Sequence, residues 1–201
     1  MPMTPISKRP VFQNAALVLI ECQHVWTRPG HWPWLYHALV RRQMAHRQVM
    51  ENLQQACRVA RHVNMPVLHA PLVIDPRHKA GWFAYLSAGL LFRQGSDSAL
   101  IDARLLADSD IVVKGRTAFD AFVSSDLRAR LQATGCNTLL LAGFVADQCL
   151  ARTASTARKL GYDTWLLTDA CATFTNGQHR LAERGFGGKV MRARELAKAL
   201  T

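Results

Sequence analysis

The sequence predicts an α/β fold: a doubly wound parallel β-sheet of about six strands flanked by helices. Three observations lead there. Short apolar, β-branched runs alternate with longer helical patterns. Most of those runs are continuously apolar, as strands covered on both faces are. The helical patterns tend to end on glycine just before the next run, where a left-handed cap residue belongs. The chain has 201 residues, 49% hydrophobic and 19% charged, so it can bury a sizeable core and is not disordered.

In chain order, the strand candidates are Ala16–Ile20, Pro66–Ala70, Asp110–Val113, Thr138–Ala142, Thr164–Thr168 and Lys189–Met191. Between the first two, 35–62 reads as one long amphipathic helix, with Leu39, Met50, Leu53, Ala56, Cys57 and Ala60 at core positions. The stretch 125–134 carries Leu127 and Leu131 four residues apart and ends at Gly135. Helices are also predicted over 149–160, ending at Gly161, over 178–184, ending at Gly185, and over 193–200. The alternation implies a Rossmann-like three-layer sandwich, and no composition shift marks a second domain within 1–201.

Segment 71–109 fits least well. It holds Pro71, Pro76, Gly81, Gly89 and Gly95 with Trp82, Phe83, Tyr85 and Phe92 interleaved, and is too long for an ordinary connection. It is expected to be an insertion that serves as a lid, a subunit contact or a packed satellite. Trp26, Trp32, Trp34 and Tyr36 follow the first strand, near the sheet edge where ligands bind. They can line a pocket or pack under the long helix.

Charge narrows the function classes. Lys and Arg number 25 against 14 Asp and Glu, a net +11. The arginines are scattered, with no basic tail, zinc-finger spacing or RNA-binding signature, so a solvated basic surface is expected and no nucleic-acid partner. The longest apolar stretch near the start, Ala15 to Ile20, is far too short to span a membrane, and no signal-peptide pattern follows it. No membrane partner and a cytoplasmic setting are expected. The five cysteines form no CxxC pair, which suits a reducing compartment.

Sites of open α/β sheets lie at the carboxyl ends of strands. After the first strand comes Glu21-Cys22-Gln23, after the third Lys114-Gly115-Arg116, and after the fourth Gly143-Phe144-Val145-Ala146-Asp147-Gln148-Cys149. The topology brings a carboxylate, one or two cations and a thiol to one edge. A thiol reacts near neutral pH when its pKa is lowered or a base adjoins it. Cys149 is expected to open a helix, whose free N–H groups favour a thiolate. Those amides and the ones near Ala146 can hold an oxyanion. Glu21 can take the thiol proton and return it to a leaving amine, while Lys114 or Arg116 stabilises negative charge.

This arrangement resembles the isochorismatase-like cysteine hydrolase superfamily, which includes nicotinamidases, ureidoacrylate and biuret amidohydrolases and N-carbamoylsarcosine amidase. The resemblance covers nearly the whole chain. It rests on ALVLIECQ, on DIVVKGRTAFDAFVSSDL and, most specifically, on LLLAGFVADQCLARTASTARKLGYDTWLLTDACATF, with glycine six residues before the cysteine. It implies a Cys149 nucleophile, an acidic general base, a lysine completing a triad, and a cis peptide in the nucleophile turn, here at Phe144–Val145.

The chain departs from that pattern. Glu21 stands for the family's aspartate and Ala146 for its usual threonine. The lysine position falls on Lys114 by chemistry and on Arg116 by spacing; residues two apart on a strand point the same way, so both are retained. Substrate contacts are expected from Trp26, His69 and Phe144. His69, Asp75 and His78 form no Asp-x-His motif, so neither a metal nor another cofactor is expected, which argues against a nicotinamidase. The reading is a cysteine-dependent hydrolase cleaving an amide, ureido or imide-like C–N bond of a small molecule, with an anionic substrate left open. A catalytically silent binding protein and a vinyl-ether hydrolase are the alternatives. By resemblance, a homo-oligomer is expected.

Overall fold

The computed structural model describes residues 12–30, 34–75, 77 and 92–199, and within them the side chains of Trp34 and Tyr36 are not described. Trp32, Pro76, His78, Gly81, Trp82, Phe83, Tyr85 and Gly89, singled out above, lie outside the described residues.

The strands are β1 (Ala15–Ile20), β2 (Val67–Ala70), β3 (Ile111–Val112), β4 (Thr138–Phe144), β5 (Asp163–Ala172) and β6 (Val190–Met191). They form one sheet in the order β3-β2-β1-β4-β5-β6, and every pair is parallel. From β1 at the centre the chain winds outward through β2 and β3, then returns past β1 to wind the other way. The reversal falls between β1 and β4, whose register runs from Ala15↔Thr138 to Ile20↔Gly143. Ligand crevices of doubly wound sheets open at such a switch point.

Seven α-helices lie among the described residues: α1 (His24–Thr27), α2 (Trp34–Arg47), α3 (Val49–His62), α4 (Leu127–Thr134), α5 (Ala151–Lys159), α6 (Asn176–Gly185) and α7 (Ala193–Ala199). Strand alternation divides the core between them. Leu17 and Leu19 join the cluster of α1, α2, α3 and α7. Ala16, Val18 and Ile20 join that of α4, α5 and α6. All six residues of β1 are buried, which is why its sequence is uniformly apolar.

Three expectations change. The helix expected over 35–62 is two helices, because Gln48 takes a left-handed conformation at φ 53 and ψ 42. Asn52 fixes the break: its amide donates to the Arg47 carbonyl at 2.9 Å and to the Asp169 carbonyl on β5 at 3.0 Å. Cys149 does not open an α-helix; it lies in a single wide π-type turn, Ala146–Leu150, that precedes α5. β5 runs on to Ala172, with a register shift against β4 between Leu141 and Gly143.

The described ends of segment 71–109 are pinned to the sheet by Gln23. This fully buried side chain donates to the carbonyls of Leu72 (3.0 Å) and Ala99 (2.7 Å) and accepts from the Leu72 amide (2.9 Å). A buried amide with its oxygen and nitrogen both bonded resists removal, since each orphaned group costs about 1–3 kcal/mol.

Candidate active site

Glu21 leaves β1 with φ 52, a backbone region that non-glycine residues seldom occupy. Its side chain is 1% exposed. Nη2 of Arg116 donates to Oε1 at 2.5 Å, and Nε1 of Trp26 donates to Oε2 at 3.3 Å. Cys149 completes the cluster, with Glu21 and Arg116 both near enough for their charges to act on its thiol.

Arg116 is as buried as its partner. Nε donates to the Ala118 carbonyl at 2.9 Å, Nη1 to the Ala70 carbonyl at 2.7 Å, and Nη2 also to the Phe119 carbonyl at 2.8 Å. A planar guanidinium with four acceptors is a fixed cation. The pair is desolvated, so it persists because each charge and most donors are matched.

Lys114 is not in this cluster. It is exposed, and its backbone is clasped by Asp126, which accepts from the Lys114 amide at 2.7 Å and donates its own amide to the Lys114 carbonyl at 3.0 Å. The alternation argument fails because β3 ends at Val112 and Gly115 turns the chain at φ 83, with a Cβ there only 2.6 Å from the Ser124 carbonyl oxygen.

The other side of the cluster is the 144–149 turn. The Phe144–Val145 peptide is cis. Gly143 sits at φ 111 against β1, where a Cβ would lie 2.1 Å from the Ile20 oxygen, so only glycine lets the two strands close here. Phe144 is fully buried and belongs to the core on the α3 face, while Ala146 and Cys149 belong to the other face. Asp147 accepts a hydrogen bond from the Thr173 hydroxyl, anchoring the turn to the chain after β5.

The thiol titrates opposite to the sequence expectation. Burial, then the negative charge of Glu21, pushes Cys149 well above the usual thiol range; Arg116 and the Val145 amide only partly oppose them. The resting sulfur therefore keeps its proton, and a nucleophilic role would call for an adjacent base and not a standing thiolate.

His69 lies elsewhere. On β2 it faces the α3 side, where Nε2 is 2.9 Å from Oδ2 of Asp110, and Arg61 of α3 binds the same carboxylate. Asp75 pairs with Arg77. A separate cavity of about 370 Å³ lies between α2 and the start of α6, lined in part by Arg42, His46, Phe174 and Asn176 and by none of the clustered residues.

Sequence reasoning placed Trp26 beside a pocket but missed its bond to Glu21, and it missed Gln23, Asp147 and Thr173. The available signal for Gln23 was a polar side chain three residues past the end of a fully apolar strand. For the Thr173–Asp147 contact, 26 residues apart, the sequence held none.

Comparison with known proteins agrees with this architecture. The family model for the isochorismatase domain matches residues 15–195. An isochorismatase family protein from Desulfovibrio vulgaris has a solved structure that is 27% identical, with a TM-score of 0.76 over 92% of this chain and 97% of that one. A streptothricin hydrolase from Streptomyces noursei is 30% identical over 105 residues, 52% of this chain and 32% of that protein. A probable inactive nicotinamidase from Arabidopsis thaliana is 32% identical over 81 residues, 40% of this chain and 41% of that protein. The matched stretches thus span less than half the length of these two relatives. With the family model covering nearly the whole chain and the sheet switch point bearing the acid, cation and thiol, the chain belongs to the isochorismatase family.

Proposed function

We propose that this protein is a hydrolase of a small amide, ureido or imide-like compound, working through a thioester on Cys149. One observation bears most of the weight: the Glu21 carboxylate is bonded to the cation Arg116 at 2.5 Å and lies near enough to the Cys149 thiol for its charge to act on it. A carboxylate so placed can take the thiol proton.

Glu21 removes the thiol proton as sulfur bonds to the carbonyl carbon, and charge moves to the carbonyl oxygen beside the amides of the 146–149 turn. When the intermediate collapses the C–N bond breaks, and Glu21 returns the proton to the departing nitrogen. Water then adds to the thioester with Glu21 as base, the C–S bond breaks, and the thiol is restored. Arg116 holds charge throughout and exchanges no proton, because a guanidinium stays protonated. Its donors are engaged by Glu21 and three carbonyls, which speaks against Arg116 as the anchor of an anionic substrate. The name of the Streptomyces noursei relative is consistent with hydrolysis. Self-association and a cytoplasmic setting belong to the same reading; light scattering measures the first.

Turnover of a panel of small amides and ureido compounds tests it. The Cys149→Ala protein is expected to lose at least about a thousandfold in kcat, and acid quenching of the wild-type reaction to leave an acyl mass on Cys149. Undiminished turnover by Cys149→Ala overturns the covalent mechanism.

The second reading, a silent member that only binds small molecules, is favoured by Glu21 and Ala146, which depart from the family pattern, and by the near-complete burial of Glu21, Arg116 and Cys149. Binding of panel compounds without turnover supports it.

A further inference from the structure

We propose that Trp26 is a positioning residue for the acid–base group: its indole N–H and the Arg116 guanidinium take one oxygen of Glu21 each, fixing the plane of the carboxylate in the cluster with Cys149. This rests on the reading of Glu21 as the base.

A glutamate reaches one methylene further than an aspartate and gains a torsion, and the final torsion of its carboxylate is broad and twofold. Nothing intrinsic to Glu21 sets the plane of its oxygens; two donors on two different oxygens do. Indole is a donor only, so it binds the carboxylate without competing for its proton. Packing alone does not explain the contact. The ring lies 5.5 Å from that of His37 and 6.3 Å from that of Phe92, contacts a phenylalanine would also make. What phenylalanine lacks is Nε1, and this donor points at a carboxylate buried with it.

The indole is itself held in place. The Trp26 amide donates to the Gln23 carbonyl at 3.0 Å, and the Gln23 side chain is bonded at both its nitrogen and its oxygen within the core. The route from sequence to chemistry therefore runs through Gln23, which fixes α1, to Trp26, which fixes Glu21.

The titratable and charged groups facing this carboxylate are Arg116 from the loop after β3, Cys149 from the turn after β4 and Cys22 beside it in the chain; His37 of α2 packs on the indole. With Glu21 as the base the thiol and carboxylate exchange one proton, so alkylation of Cys149 is governed by the pair and has an acid limb where the pair takes up its second proton.

The test is site-resolved iodoacetamide alkylation of Cys149 against pH in the wild type and in Trp26→Phe. Losing one donor to a buried anion is expected to move the acid limb up by about one pH unit, a tenfold change in proton affinity. An acid limb present in both proteins at the same pH overturns the clamp and leaves Glu21 as base. A wild-type profile with a single alkaline step overturns the reading beneath it. Should Trp26→Phe not fold, the indole N–H resonance of the wild-type protein decides: it is expected to move upfield in Glu21→Gln, where the acceptor loses its charge. An unmoved resonance overturns the clamp.

Discussion

Arg116 shows what a single side chain decides here. A lysine would present one compact, rotatable ammonium; the guanidinium instead spreads its donors over Glu21 and the carbonyls of Ala70, Ala118 and Phe119. It thereby ties the loop after β3 to the end of β2 while matching the charge of the Glu21 carboxylate. Removing one member of a fully buried ion pair strands the other charge, so Arg116→Met is expected to lower unfolding stability by about 3–5 kcal/mol. The double variant Glu21→Gln/Arg116→Met should recover part of that loss, since it strands no charge. Urea unfolding of both measures the coupling, and equal losses in single and double variants contradict it. The cysteine turn and the acid were legible in the sequence because each follows an apolar run. The choice between Lys114 and Arg116 was not, because it depends on where β3 stops and on a glycine turn that neither hydrophobicity nor spacing records.

Among the elements, the helix pair α2–α3 departs most from its sequence. Over 35–62 the pattern contains no glycine or proline, so continuity was the natural expectation. The break comes from tertiary structure: Asn52 caps the Arg47 carbonyl and reaches β5, and Gln48 adopts the left-handed geometry this requires. The two alternatives make opposite predictions for one substitution. At a left-handed position Gln48→Gly relieves backbone strain and is expected to stabilise the protein by about 1 kcal/mol. Inside a continuous helix it would destabilise by about the same amount. Thermal or urea unfolding gives the sign.

For the molecule as a whole, the strands and the doubly wound parallel architecture were largely legible. Parallel strands buried on both faces cannot hide their composition, and the strand–helix repeat constrains the winding. Contacts between distant segments were not legible, and the buried group that spans β2, α3 and the start of β3 illustrates this. Burial pushes the Asp110 carboxyl up, but hydrogen bonds from His69, from Arg61 and from the Ala107 amide outweigh it and bring it down to about 2. A carboxylate depressed in the folded state adds stability above its unfolded pKa and loses it as pH falls through the folded one. Asp110 should therefore contribute about 2 kcal/mol at neutral pH, lost as pH falls from about 4 to about 2. The stability gap between wild type and Asp110→Asn is expected to narrow over that window in urea titrations. A gap independent of pH contradicts the assignment. With a net charge of +11, further protonation also adds self-repulsion, which should sharpen acid unfolding in both proteins.

The central claim is that Cys149 and Glu21 share one proton at the sheet switch point. The pH profile of Cys149 alkylation, wild type against Glu21→Gln, tests it most directly. The account predicts two steps in the wild type, an acid limb and an alkaline rise, and one step once the carboxylate is gone. A single alkaline step in both proteins would contradict it.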